Sequence, residues 1–231
     1  RRVGGIRDPL ILAKQCATID MLSEGRLLPA FGIGNITAPV WTATGRKTKG
    51  RGARTDEALD IIQQLWSGEP LTVMGEFFHY ENATISPRPV QKKFPFWIGG
   101  SSPAAIRRTA RIGTGWLAGL ETPSKIAPAI SAIRTAAPDA GRSIDDDHYG
   151  AGFPFRFGSW DDAVTQHAVD AYAKRKKGDP REYMGIGGAD EIIERARAYI
   201  DAGVSKFVLR PVASDDVDFL DQTQKLIDTV I

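Results

Sequence analysis

The chain has 231 residues, 42% hydrophobic and 25% charged, with 24 Gly and 14 Pro; this composition supports a buried core and excludes a disordered polymer or a collagen-like repeat. Thirty basic against 28 acidic side chains leave a net charge of +2, so no general field attracts nucleic acid or an anionic membrane. The longest apolar runs, LLPAFGIG and PLILA, fall short of the ~20 residues that cross a bilayer, and the Arg-led start lacks the apolar region of a signal peptide. A single cysteine, Cys16, forms neither an internal disulfide nor a thiolate cluster and reads as a small buried thiol. The expectation is a cytoplasmic protein with no membrane and no nucleic-acid partner.

From Asp8 to Leu22 apolar residues recur at helical spacing, and Asp8-Pro9 supplies an N-cap and a first-turn proline. Ser23-Glu24-Gly25 stops that helix, and residues 26–34 (RLLPAFGIG) read as an apolar strand covered on both faces. A second helix is expected from Gly50 to Ser67, ended by Gly68. Residues 70–91 carry β-prone clusters around Gly75 and Asn82 and read as a hairpin-like insertion. After it the pattern predicts a strand at 94–99, a helix at 103–112, a strand at 115–119, a helix at 123–137 and a β-like run at 148–157. Helices at 161–174 and 189–202, a strand at 206–211 and a last helix at 216–230 complete the chain. The basic run at 174–180 (KRKKGDP) reads as a solvated loop. Strands alternating with helices indicate a parallel sheet with helical crossovers, an open doubly wound sheet or a (β/α)8 barrel, within one domain spanning 1–231.

Ligands of parallel α/β folds bind beyond the carboxyl ends of the strands, and two strand ends are rich in glycine. Gly32-Ile33-Gly34-Asn35 does not continue into a dinucleotide fingerprint, because Thr37 stands where the third glycine belongs and Ala38-Pro39 is expected to open no helix. Gly99-Gly100-Ser101-Ser102 precedes a helix with proline in its first turn, so backbone N–H groups and the positive helix end converge where an anion or a flat ring can approach. The same turn serves equally well as a connector with one serine as N-cap. His79, His148 and His167 show no metal-ligand spacing, so no metal site is expected. Arg156, near the end of its strand on the ligand-binding side, is placed to meet an anion but reads first as an ordinary ion-pair partner, and no Gly-x-Ser-x-Gly elbow is present.

The blocks 13–35 (AKQCATIDMLSEGRLLPAFGIGN), 51–91, 94–119 (FPFWIGGSSPAAIRRTARIGTGWLAG) and 202–211 (AGVSKFVLRP) resemble the bacterial luciferase-like family of flavin- and F420-dependent oxidoreductases. The resemblance implies a (β/α)8 TIM barrel, here lacking its first three strands, that holds F420 or FMN at the C-terminal ends of its strands. It implies that Gly32, Gly34 and Asn35 border the tricyclic ring and that Gly99, Gly100, Ser101 and Ser102 hold the cofactor phosphate. Trp116, Ala118 and Gly119 fall near the same mouth. The family's sugar-phosphate dehydrogenases carry a lysine just beyond the sixth strand, a place that falls at about Thr122 here, with Lys125 next, which argues against a sugar-phosphate substrate. The implied activity is hydride transfer or monooxygenation of a small organic molecule by a homodimer, and the resemblance assigns no catalytic acid or base here. A barrel that binds a flavin or another small ligand without turnover is the alternative reading.

Overall fold

The computed structural model of the protein describes residues 2–3, 6–174 and 178–230, so the centre of the basic run at 174–180 lies outside the described residues. The chain divides into two compact units, Arg1–Trp116 and Leu117–Ile231.

In the first unit a parallel sheet follows the order β1 (Arg2–Val3), β2 (Ala30–Gly32), β5 (Trp97–Gly99) and β6 (Gly115–Leu117), the unit ending at Trp116. Helices α1 (Pro9–Leu22), α2 (Val40–Ala43), α3 (Arg51–Ser67) and α4 (Pro103–Ile112) connect these strands, and the antiparallel pair β3 (Leu71–Met74) and β4 (His79–Ala83) forms the expected hairpin. Helix α1 starts as its sequence dictates: the Asp8 carboxylate accepts from Leu10 N–H at 2.9 Å and Ile11 N–H at 3.2 Å. Strand β2 is shorter than the apolar run, because Pro29 has no N–H for a ladder and offers only its carbonyl, which accepts from Trp97 N–H at 3.2 Å. Residues Arg2–Val3, which sequence patterning passes over, pair in parallel with Phe31 and Gly32.

The core of this unit gathers Leu12, Cys16, Phe31, Leu59, Ile62 and Ile98. Phe31 stacks on Phe96 with centroids 4.8 Å apart, and Trp66 of α3 donates its indole N–H to Ala13 O at 3.0 Å, tying α3 to α1. Charged groups complete the packing. Arg108, 5% exposed, meets Asp56 in a two-point contact at 2.5 and 2.9 Å. Asp20 is fully buried, and its carboxylate accepts from the N–H groups of Val90 and Gln91 and from the Gln91 side-chain amide. The chain returning from the hairpin is thereby fastened to α1.

In the second unit β7 (Tyr149–Ala151) pairs in parallel with β10 (Lys206–Phe207), while β8 (Pro154–Phe157) lies between β11 (Arg210–Pro211) and β9 (Gly185–Gly187). The two long β runs expected from sequence are thus each broken. The break has a steric cause at Gly152, where a Cβ would lie 2.3 Å from the Val208 carbonyl oxygen, so the two chains approach too closely for a regular side-chain-bearing ladder. Helices α5 (Pro123–Asp139), α6 (Ala163–Ala173), α7 (Ala189–Asp201) and α8 (Asp216–Val230) cover these strands. Strand β9 escaped the sequence reading because Gly-Ile-Gly is too short and glycine-rich to carry a period. Arg156 is the ion-pair partner expected: its guanidinium lies 2.7 Å from Asp218 and donates to Val212 O at 2.8 Å.

Two outcomes test these anchors. Asp20→Ala removes a fully buried carboxylate that accepts three hydrogen bonds from Val90 and Gln91, and urea denaturation is expected to show a loss of about 1–3 kcal/mol. The Asp218 carboxyl is held below the ordinary carboxylate range by the Ser214 N–H and then by Arg156, so its stabilisation is complete above an unfolded pKa of about 3.9 and is lost as pH falls through the lower folded value. Asp218→Asn is therefore expected to lower the melting temperature at neutral pH, with the gap to the native protein closing in acid.

Candidate active site

The register of β2 on β5 pairs Ala30 with Trp97 and Phe31 with Ile98, so Gly32 and Gly99, the last residues of the two strands, leave the sheet side by side at its C-terminal end. The two glycine-bearing segments singled out from sequence are therefore brought together within the first unit. Gly34 has φ +75°, a left-handed conformation that suits glycine. Asn35 is exposed, and much of its polar capacity is used locally: its side-chain oxygen accepts from the Thr37 N–H and hydroxyl, both at 3.1 Å, and its carbonyl accepts from the Trp41 indole at 2.7 Å. The side-chain NH₂ remains as the group that can face a ring.

The turn after β5 separates its two serines. Ser102 is the N-cap of α4, accepting from Ala105 N–H at 3.2 Å. Ser101 has a buried hydroxyl without a hydrogen-bond partner, an arrangement that costs free energy unless a ligand completes it. Gly100 has φ +112°, and its carbonyl is tied down by the Trp116 indole N–H at 2.8 Å. Among the described residues, the N–H groups of Gly100, Ser101 and Ser102 donate to no other group. A Cβ built on Gly100 would meet Ala105 Cβ at 3.4 Å, so the glycine is required by backbone conformation rather than by crowding. Three N–H groups without an acceptor, a buried hydroxyl and the start of a ten-residue helix thus fall within four consecutive residues. That set of donors fits a phosphate.

Other candidates lie elsewhere. Ala118 and Gly119 follow β6 in the second unit. His79 is exposed on β4 and His167 is exposed on α6. The run of three aspartates before His148 brings ligand atoms of Asp145, Asp147 and His148 within 4.8 Å of one another, a grouping that histidine spacing alone did not signal. The Lys206 ammonium, 3.0 Å from Asp147, already satisfies part of it. The role of Trp116 in fixing Gly100 had no sequence signal beyond the position of an aromatic residue on the next strand.

The luciferase-like monooxygenase family matches residues 2–185, and the chain belongs to that family. An F420-dependent glucose-6-phosphate dehydrogenase of Nakamurella multipartita is 28% identical over 243 residues, covering 92% of this chain and 70% of that protein. Among solved structures, a monooxygenase from Streptomyces bottropensis superposes with a TM-score of 0.83 at 20% identity, over 99% of this chain and 75% of that one. An F420-dependent secondary alcohol dehydrogenase, determined with an F420-acetone adduct, superposes with a TM-score of 0.80 at 22% identity, over 97% of this chain and 76% of that one. The fold is the luciferase-like (β/α)8 type, and the protein is a luciferase-like oxidoreductase.

The division between the two serines gives opposite expectations. Ser102→Ala removes a helix cap and is expected to lower stability by about 1 kcal/mol. Ser101→Ala removes an unsatisfied buried hydroxyl, and thermal unfolding of the ligand-free protein is expected to show no loss, or a gain.

Proposed function

We propose that the protein is an F420- or FMN-dependent oxidoreductase that binds the cofactor phosphate at Gly99-Gly100-Ser101-Ser102 and lays the tricyclic ring against Gly32, Gly34 and Asn35. The buried, unpartnered hydroxyl of Ser101 beside three N–H groups that have no acceptor carries this reading. When bound, such a cofactor supplies hydride transfer, or in the flavin case oxygen chemistry as well. The chain's own part is binding and orientation. Gly100–Ser102 hold the anion through backbone, the absence of side chains at Gly32 and Gly34 admits a flat ring, and the Asn35 amide donates toward its edge.

The substrate in this reading is a small organic molecule without a phosphate. Thr122 is buried with its hydroxyl 2.9 Å from that of Ser124, and it offers no cation where the family's sugar-phosphate enzymes have a lysine. Among the described residues no helix is long and apolar enough to cross a membrane. A cytoplasmic homodimer is the assembly that fits a chain with one buried cysteine and this family resemblance.

Titration of the protein with FMN and with F420 is expected to show micromolar or tighter binding of at least one, and weak binding of NAD(P), for which the chain has no fingerprint. Gly100→Val forces a branched residue into a left-handed conformation and obstructs the anion. Losing two charge-assisted hydrogen bonds at roughly 1.5 kcal/mol each weakens affinity about 100-fold. Failure of both tricyclic cofactors to bind folded protein would leave a barrel that binds some other small ligand. Unchanged affinity in folded Gly100→Val would place the phosphate elsewhere.

A further inference from the structure

A cavity in the unit Leu117–Ile231 is lined by none of the residues assigned to the cofactor. It holds about 260 Å³, less than the ~300 Å³ at which pockets for drug-sized ligands begin, so it suits a smaller molecule. Its floor is apolar. Met184, just before β9, and Ile186, within it, are 1% and 4% exposed and belong to the buried cluster against which Trp160 packs. Its rim is charged, because Arg181, in the 3₁₀ turn Pro180–Glu182, and Glu194, on α7, are both exposed and both line it.

The walls of this cavity are fixed to each other by one side chain. Arg195 of α7 donates from Nε to Met184 O at 3.1 Å, from Nη1 to Glu182 O at 2.9 Å and from Nη2 to Arg181 O. The 3₁₀ turn and the start of β9 are thereby tied to the helix, and all three guanidinium nitrogens are turned to carbonyls. Glu191, three residues before Glu194 and on the same helix face, is committed through Oε2 to the Gly188 N–H at 2.8 Å. Arg181 and Glu194 differ from these two. The Arg181 guanidinium lies 4.9 Å from the centre of the Trp160 ring and, among the described residues, meets no carboxylate. Among the same residues the Glu194 carboxylate accepts no hydrogen bond and joins no ion pair. A cation and an anion thus line one small cavity without pairing with each other.

We infer that this cavity binds a free amino acid with an apolar side chain, its carboxylate toward Arg181 and its ammonium toward Glu194. Two opposite charges that share a cavity and do not neutralise each other are complementary to a molecule that carries both. The Trp160 ring, Met184 and Ile186 offer the apolar contact that its side chain requires. A ligand with one charge leaves Arg181 or Glu194 unmet, and a polar side chain would lie on the floor without a partner. Because both charged groups are exposed, each contact is weak, and selectivity arises from the two acting together at low ionic strength.

The test compares four probes by calorimetric titration at low salt: L-phenylalanine, L-serine, phenethylamine, which lacks the carboxylate, and 3-phenylpropionate, which lacks the ammonium. Each is titrated into the native protein, Arg181→Gln and Glu194→Gln, with thermal unfolding as the control for folding. L-Phenylalanine is expected to bind saturably with a Kd of about 1 mM, about fivefold more tightly than either singly charged analogue and more tightly than L-serine. Arg181→Gln is expected to weaken L-phenylalanine about fivefold, to the level of phenethylamine, and Glu194→Gln to bring it to the level of 3-phenylpropionate. Absence of saturable L-phenylalanine binding to the folded native protein would overturn the assignment. Equal affinity for L-phenylalanine and both analogues would show an apolar cavity indifferent to charge, and L-phenylalanine binding unchanged in both variants would place its site elsewhere; either result overturns it as well. Serine binding as tightly as phenylalanine would remove the role given to the apolar floor and overturn the ligand class.

Discussion

The site depends on one register, the parallel pairing of Ala30 with Trp97 and Phe31 with Ile98. It places Gly32 and Gly99 at neighbouring strand ends, so the segment that can border a ring and the turn that can hold an anion open in the same direction. A slip of one residue would turn Phe31 away from the stack it makes with Phe96 and exchange the faces of β2. The buried aromatic contact and the site geometry therefore stand or fall together. The hydrogen bond from Trp116 to Gly100 O extends the same logic to the next strand, because it fixes the carbonyl side of the turn.

The turn after β5 leaves a buried hydroxyl without a partner. A polar group left buried without a partner costs more than the average hydrogen bond returns, and Ser101 bears that cost next to a residue at φ +112°. Local strain and unsatisfied polarity of this kind concentrate at ligand sites. The buried Arg51 Nε, at the first residue of α3, is likewise without a partner.

Much of this was legible in sequence where short-range chemistry is decisive. Asp8-Pro9, Gly68 and Ser102-Pro103 marked helix ends that the structure places at or within a residue of the expected positions, because caps and prolines act over three or four residues. Strands were read less well. The run at 26–34 shrank to Ala30–Gly32, and the runs at 148–157 and 206–211 each split in two, because their limits are set by partners distant in sequence, as the approach of Gly152 to the Val208 carbonyl illustrates. In the site, the sequence of the Gly99–Ser102 turn admitted two readings equally, an anion site and a plain connector. The division of labour between Ser101 and Ser102 was not legible, since two adjacent hydroxyls are equivalent until burial distinguishes them. The engagement of Asn35 with Thr37 and Trp41 was hidden for a similar reason: the short helix Val40–Ala43 that presents Trp41 has too few residues to show a period.

The central claim is that backbone N–H groups beyond β5 hold the cofactor phosphate. Amide resonances of the ¹⁵N-labelled protein, followed while FMN or F420 is added to saturation, test it most directly. The account expects the largest amide-proton shifts at Gly100, Ser101 and Ser102, in the downfield direction of a hydrogen bond to an anion. Saturable binding that moves amides elsewhere and leaves those three unchanged would contradict it.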